Sequence, residues 1–332
     1  MKKNQNRINT FALVILLPLT STIACQVSSD KNRTVSASVN SSNMPGNDIQ
    51  QKQTDDLIFS KEGWIYYLSA SNKQPQKIVE GEFPSLNIKK KQFVYLKPQP
   101  PEADAEAVLM LYDLTTKKTR ELYRVKGFVN YPRFAPEGDL ILFILRTNEG
   151  KTKLEVFNTG GEEAFTLNQT NKEINDVFSP VWAADGNTVY FHDMTNLFHV
   201  GFDGQVLSKI PLKTITGSRE TITSSDWFIP SPKNENLLIF TQLVPGTPLF
   251  EKTFGEPNTA LFMYNLKENK KTRLTPEDMF AVDPIWSTNG ESLYFIGYYD
   301  RNGQENFPFR IFSIQLDGSN IVELARGENV DN

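Results

Sequence analysis

Three stretches of the chain are copies of one pattern: Pro132-Arg133-Phe134-Ala135-Pro136-Glu137-Gly138, Pro180-Val181-Trp182-Ala183-Ala184-Asp185-Gly186 and Pro284-Ile285-Trp286-Ser287-Thr288-Asn289-Gly290. Their phase reveals two degraded copies. Pro84 stands 48 residues before Pro132 and Phe228 stands 48 after Pro180, so successive headings are 48, 48, 48 and 56 residues apart. Each heading is followed by an apolar, β-rich run: Phe93-Val94-Tyr95, Ile141-Leu142-Phe143, Val189-Tyr190-Phe191, Leu238-Ile239-Phe240 and Leu293-Tyr294-Phe295. A second run follows in every copy, at 109–114, 154–158, 197–202, 261–266 and 311–316. Gly160-Gly161, Asp203-Gly204 and Asp317-Gly318 then fall where two-residue hairpin turns are favoured, before a short fourth strand. Residues 55 to 79 hold a partial copy ahead of the first full one.

Four strands per unit, repeated every 40 to 50 residues, mark a β-propeller, whose blades bury their faces only by stacking on their neighbours. Five full copies and one partial copy predict an all-β, six-bladed propeller with four-stranded blades over residues 55–325. Residues 326–332 are expected to trail as a tail. The first blade has no Pro-x-Trp strand of its own, and only residues 325–332 remain to supply one.

The heading Pro-x-Trp-Ser-x-Asp-Gly, followed by an apolar strand ending in Phe, resembles the repeat of TolB-type propellers and covers about residues 55 to 325. That resemblance implies the fold. It leaves function open, because the same repeat serves in bacterial periplasmic scaffolds and in the gating propellers of prolyl-oligopeptidase-type peptidases. Within the repeat, the Asp-Gly or Glu-Gly pairs are expected to turn the chain and the Trp and Phe residues to fill the space between blades.

Ahead of the repeats lies an address. Lys2, Lys3 and Arg7 precede an apolar run from Phe11 to Leu19, which is too short and too interrupted at Pro18 to span a membrane. Thr22-Ile23-Ala24-Cys25 resembles the lipobox of bacterial lipoproteins, with Thr22 where Leu is preferred. Residues 1–24 therefore read as a signal peptide and Cys25, the only cysteine, as the lipidated amino terminus. Residues 25–54 are polar and read as a disordered linker, which lets the propeller stand clear of the membrane. The expected location is the periplasm or cell surface. In a Gram-negative host, Gln26 after the cysteine points to the outer membrane.

The chain carries 35 basic and 39 acidic residues, and the first 24 residues hold three of the basic ones and no acid. The remainder, 32 against 39, has a net charge of −7. A surface of that sign disfavours nucleic-acid binding. One cysteine excludes an intrachain disulfide, and with only two histidines it also excludes a Cys/His zinc cluster. No Gly-x-Ser-x-Gly elbow, phosphate loop or sialidase box occurs, and His192 and His199 lie on adjacent strands with no nucleophile identifiable beside them.

The innermost strands begin just before each heading, so Glu82 and Phe83, Asn130 and Tyr131, Phe178 and Ser179, Asp226 and Trp227, and Val282 and Asp283 should face the channel mouth. No cofactor or metal is expected; the alternative is calcium, for which Glu82, Asn130, Asp226 and Asp283 offer hard oxygen ligands. That leaves two functions open. A monomeric, non-catalytic lipoprotein scaffold that binds an envelope protein or peptide is favoured over a small lactonase-like hydrolase with a calcium site. Long loops gather on the face of the channel mouth, where Phe83, Tyr131, Arg133, Asp226, Trp227, Phe254, Asp283, Tyr298 and Tyr299 form the candidate binding face.

Overall fold

Each repeat folds into a four-stranded antiparallel sheet, because its two central runs are apolar on both sides and need cover on both faces. The computed structural model describes residues 55–99, 106–147, 150–166, 174, 176–254 and 257–332. The chain divides into two units, Met1–Ile49 and Gln50–Asn332, and every described residue lies in the second. The signal peptide, Cys25 and the whole of the linker lie outside the described residues.

Six sheets of four strands form the propeller. From the channel outward, blade 2 comprises Glu82–Asn87, Gln92–Leu96, Glu106–Asp113 and Lys118–Lys126, and blade 3 Phe128–Phe134, Leu140–Arg146, Thr152–Asn158 and Glu163–Thr166. Blade 4 holds Phe178–Trp182, Thr188–His192, Asn196–Gly201 and Val206–Pro211. Blade 5 holds Phe228–Pro230, Leu237–Val244, Asn258–Asn265 and Lys270–Arg273, and blade 6 Met279–Trp286, Ser292–Tyr299, Arg310–Gln315 and Val322–Arg326. Six clusters of buried apolar side chains fill the gaps, one at each junction between neighbouring blades. The core is thus a ring of six contacts rather than one centre, and each blade depends on both neighbours.

Blade 1 corrects the expected tail. Its outer strands are Leu57–Lys61, Trp64–Leu68 and Gln76–Glu80, and its innermost strand is Glu328–Asp331, from the far end of the chain. Ile58 pairs with Asp331 and Ser60 with Glu328, while Val330 is fully buried against Phe59 and Tyr294. Four residues suffice because the strand has neighbours in both flanking blades. Gly327 permits the approach, since a Cβ there would lie 2.3 Å from the Phe59 ring.

The repeated residues join blades. Trp182 donates its indole N–H to the Arg133 carbonyl at 3.0 Å, and Trp286 donates to the Ile229 carbonyl at 3.4 Å, each reaching into the preceding blade. Asn87 donates to the Gly138 carbonyl at 3.0 Å. Gly138 itself has φ of 75°, and a Cβ there would overlap the Asn87 amide, so the turn and the junction both require glycine. The lysine run at 89–91 also serves a junction, with Lys89 and Lys90 paired to Glu137 and Asp139 of blade 3.

Among the described residues, helix is confined to connections on the channel-mouth face. Helix α1 (Leu212–Thr216) lies between blades 4 and 5, α2 (Pro248–Phe254) within blade 5, and a 3-10 turn at Asp300–Asn302 within blade 6. Arg310, 4% exposed, anchors the 300–309 connection with two 2.8 Å hydrogen bonds to the Glu305 carboxylate.

Candidate functional site

The innermost strands share one irregularity, and it builds the channel mouth. Phe83, Tyr131, Ser179, Asp283 and Asn329 occupy the same place in blades 2, 3, 4, 6 and 1, and all five have left-handed backbone, with φ of 50°, 54°, 46°, 48° and 52°. At each of them the pairing with the second strand shifts by a bulge. The bulge turns the side chain out of the strand's alternation and towards the channel. Left-handed backbone costs a non-glycine residue roughly 1 kcal/mol or more, so five such sites in one ring are held by the blades around them.

Blade 5 solves the same position differently. Trp227 replaces the bulged residue without positive φ. The Thr241 hydroxyl accepts from the Trp227 backbone N–H at 2.9 Å and donates to Asp226 at 2.8 Å. Asp226 also accepts from the backbone N–H and hydroxyl of Thr223 at 2.6 and 3.1 Å. Burial pushes its carboxyl up to about 6, against the pull of those donors. Behind it, His192 is wholly buried. Its Nδ1 accepts from the Met194 N–H at 3.2 Å, which leaves Nε2 to donate to the Asp226 carbonyl at 2.8 Å. Burial holds this imidazole down at about 4, so it is neutral at physiological pH and structural in role.

Contacts across the mouth create two unlike halves. Phe83 meets Tyr131 edge-on at 5.6 Å, and Tyr131 meets Trp227 edge-on at 5.1 Å. These rings from blades 2, 3 and 5 form an aromatic wall. Opposite it, Glu82, Asp283, Glu328 and Asp331 come from blades 2, 6 and 1. The Trp227 indole N–H donates to Asp283 at 2.7 Å and joins the two halves. Arg133 lies over the Trp227 ring at 5.8 Å and pairs with Asp331 at 3.7 Å.

Electrostatics follow from that crowding. Burial raises Glu82, Asp283 and Asp331 above the usual carboxylate range, with Arg133 partly offsetting the last two. Glu328 is pushed up to about 7 by burial first, and then by the charges of Glu82 and Asp283. Tyr131 is raised by burial and by Asp283.

The residues expected at this face divide into three groups. Phe83, Tyr131, Arg133, Trp227 and Asp283 are brought together, although Trp227 is 2% exposed and packs into the junction of blades 5 and 6 rather than standing free. Tyr298 is not an exposed anchor either. It is 5% exposed and stacks on Phe280 at 4.9 Å, because a strand end beneath α2 is covered by it. Tyr299 is half-buried under Arg301, and the side chain of Phe254 lies outside the described residues. Among the described residues, the three carboxylates suggested as calcium ligands belong to no group of three or more spaced to hold an ion. Asp226 is committed to Thr223 and Thr241, Asp283 to Trp227, and Glu82 faces Glu328 instead. Sequence reasoning missed Glu328, Asn329 and Asp331, yet Gly327-Glu328-Asn329-Val330 copies Gly81-Glu82-Phe83-Pro84 and carried the signal.

No family model matches the chain, and no curated protein matches it. Solved structures do. The TolB of Acinetobacter baumannii superposes with a TM-score of 0.57 at 14% identity, covering 83% of this chain and 65% of that one. The chain has the TolB-type propeller fold. A putative TolB of Agrobacterium tumefaciens superposes with a TM-score of 0.53 at 13% identity, over 82% of this chain and 91% of the other. The chain thus spans just under two thirds of the first TolB, and at these identities the likeness concerns the fold alone. No helix among the described residues of this TolB-like propeller is long and apolar enough to cross a membrane.

Proposed function

We propose that this chain is a non-catalytic binding scaffold of the cell envelope, which takes a protein or peptide partner at the channel mouth of its TolB-like propeller. The observation that carries this reading is the ring of five left-handed residues. Strain of that kind persists where a surface must be presented in one shape, and here it presents side chains of five different types at one opening.

The chemistry at the mouth favours binding over turnover. Ser179 has no hydrogen-bond partner, so no base addresses its hydroxyl, and both ring nitrogens of His192 are spent on backbone groups. Lipidation at Cys25 would hold the chain at a membrane, facing the periplasm or the cell exterior, and at the outer membrane in a Gram-negative host. The net charge of −7 beyond residue 24 sets nucleic acid aside as the partner.

Affinity capture with the full-length chain from solubilised envelopes tests the reading. Tyr131→Ala should lower recovery of a stoichiometric partner at least fivefold, while Lys90→Ala, on the opposite face, should leave it unchanged. Capture that depends on Lys90 and ignores Tyr131 would overturn the assignment. Intact-mass measurement of the membrane form should show an acylated Cys25, and a soluble product with a free thiol would remove the anchor.

A further inference from the structure

The junction between blades 4 and 5 lacks the side chain that fills two of the others. In blades 4 and 6 the third residue of the heading is tryptophan, and Trp182 and Trp286 reach the preceding blade, donating to a carbonyl there at 3.0 and 3.4 Å. Blade 5 has Pro230 in that place. The register fixes the equivalence, because Trp182 pairs with Val189, Trp286 with Leu293 and Pro230 with Leu238. A second ring is exchanged as well. Trp182 meets Phe202 edge-on at 5.6 Å, and Phe202 follows the pair Thr188 and Gly201 just as Leu266 follows the pair Leu237 and Asn265. Proline and leucine thus stand at this junction where tryptophan and phenylalanine stand at the one before.

A cavity of about 320 Å³ opens at that place, lined by Pro230 and Leu266 from blade 5 and by Tyr190, His199 and Ser208 from blade 4. The three blade 4 residues form a row across the sheet, since Tyr190 pairs with His199 and His199 with Ser208. The first two rings stack at 4.0 Å, within 6° of parallel. Ser208 carries no ring, so the stack ends on the imidazole. Glu235 lines the cavity from its exposed rim, and among the described residues no lysine, arginine or histidine comes within 4.0 Å of its carboxylate. A concave, largely apolar space with a few polar groups, near the lower end of ~300–1,000 Å³, has the make-up of a small-molecule site.

We propose that this cavity binds a free planar aromatic compound of about the size of indole, stacked on His199 and donating a ring N–H to Glu235. The inference is independent of the channel mouth, because the cavity lies beside the turn at 231–236, at the far end of the innermost strand. The chain itself shows what such a seat accepts, since an indole fills it at the two tryptophan junctions. Here the walls contributed by the preceding blade are aromatic too, with Tyr190 and His199 where blade 3 has Leu142 and Val156. Rings stack on such walls with their faces offset. The chain's own linker supplies no occupant, because residues 26–54 contain no Phe, Tyr or Trp.

The two histidines make the test direct, because each gives one imidazole Cε1–H signal. Indole added to the full-length chain should move the His199 signal upfield and saturably, while the signal of the wholly buried His192 stays in place and reports an intact fold. Cyclooctanol, with the same number of heavy atoms and no flat ring, should bind at least tenfold more weakly, and N-methylindole, which cannot donate, at least threefold more weakly. Pro230→Trp should fill the seat from within and abolish the response. Ser208→Trp, at an exposed position, should abolish it by placing its own ring on the imidazole without disturbing the packed junction. A tryptophan-bearing hexapeptide should bind no more tightly than indole. Tighter binding of the peptide would make the occupant a partner's side chain and overturn the assignment to a free compound. Equal binding of cyclooctanol or N-methylindole, a response that survives both substitutions, or a stationary His199 signal would overturn the proposal as well, and none of these results bears on partner capture through Tyr131.

Discussion

Glu328→Gln should stabilise the protein by an amount that is nil below pH 4.5, grows as pH rises from there, and is complete above about 7. Glu328 lies in the four-residue strand that closes the ring, and its carboxyl is raised from 4.5 to about 7 by burial and by the nearby charges of Glu82 and Asp283. A native value above the unfolded one means that the folded state holds the proton more tightly. The associated stability is fully present below pH 4.5 and is lost as pH rises through about 7. The difference between 4.5 and about 7 corresponds to ~3 kcal/mol, and water in the open mouth lowers the usable figure to ~2 kcal/mol. Glutamine keeps the shape and cannot ionise. Urea unfolding followed by circular dichroism should therefore show the variant about 2 kcal/mol more stable than wild type at pH 8, equivalent to roughly 4–8 °C in Tm, and indistinguishable at pH 4. An equal effect at both pH values, or a loss of stability at pH 8, would refute the reasoning.

Three further outcomes follow from other parts of the ring. His192, held at about 4 by burial, gives the opposite slope: stability falls as pH drops from 6.5 through about 4, so His192→Gln should abolish a dependence of ~3 kcal/mol in that window, read from unfolding midpoints at several pH values. Trp182→Phe deletes the 3.0 Å hydrogen bond to blade 3 while keeping most of the packing, and should cost ~1 kcal/mol in equilibrium unfolding. Gly327→Ala places a methyl 2.3 Å from the Phe59 ring and should cost ~1–3 kcal/mol, visible as a lowered urea midpoint.

How far the residues foretold this molecule depends on the scale considered. The 48-residue phase was legible because a propeller repeats its packing problem: Trp182 and Trp286 each reach the blade before, and Gly138, Gly186 and Gly290 turn the chain after the heading. The closing strand was hidden because it has neither the proline nor the tryptophan of the heading. Val330 does Pro84's packing with no punctuation to mark it. The channel mouth was half legible. Glu82, Phe83, Tyr131 and Asp283 sit one or two places before a heading proline, and that position was enough to aim them at the channel. The contacts between them join blades 2, 3, 5 and 6, and nothing in the local sequence of Tyr131 announces Trp227, 96 residues on. Trp227 and Tyr298 misled for a simple reason. An aromatic residue near a loop is equally suited to anchoring a partner and to sealing the end of a blade, and both seal.

The closing strand also orders events in time. Ser60 and Glu328 stand 268 positions apart in the chain, so the seam of the ring joins the first of the described strands with the last of them. Until residues 328–331 dock, blade 1 is a three-stranded sheet with a bare inner edge, and the junction with the completed blade 6 around Phe59 and Tyr294 lacks Val330. Drawing the ends of so long a loop together costs ~5 kcal/mol in chain entropy, which is recovered only when the last strand docks. The topology therefore requires the ring to remain open until that strand docks.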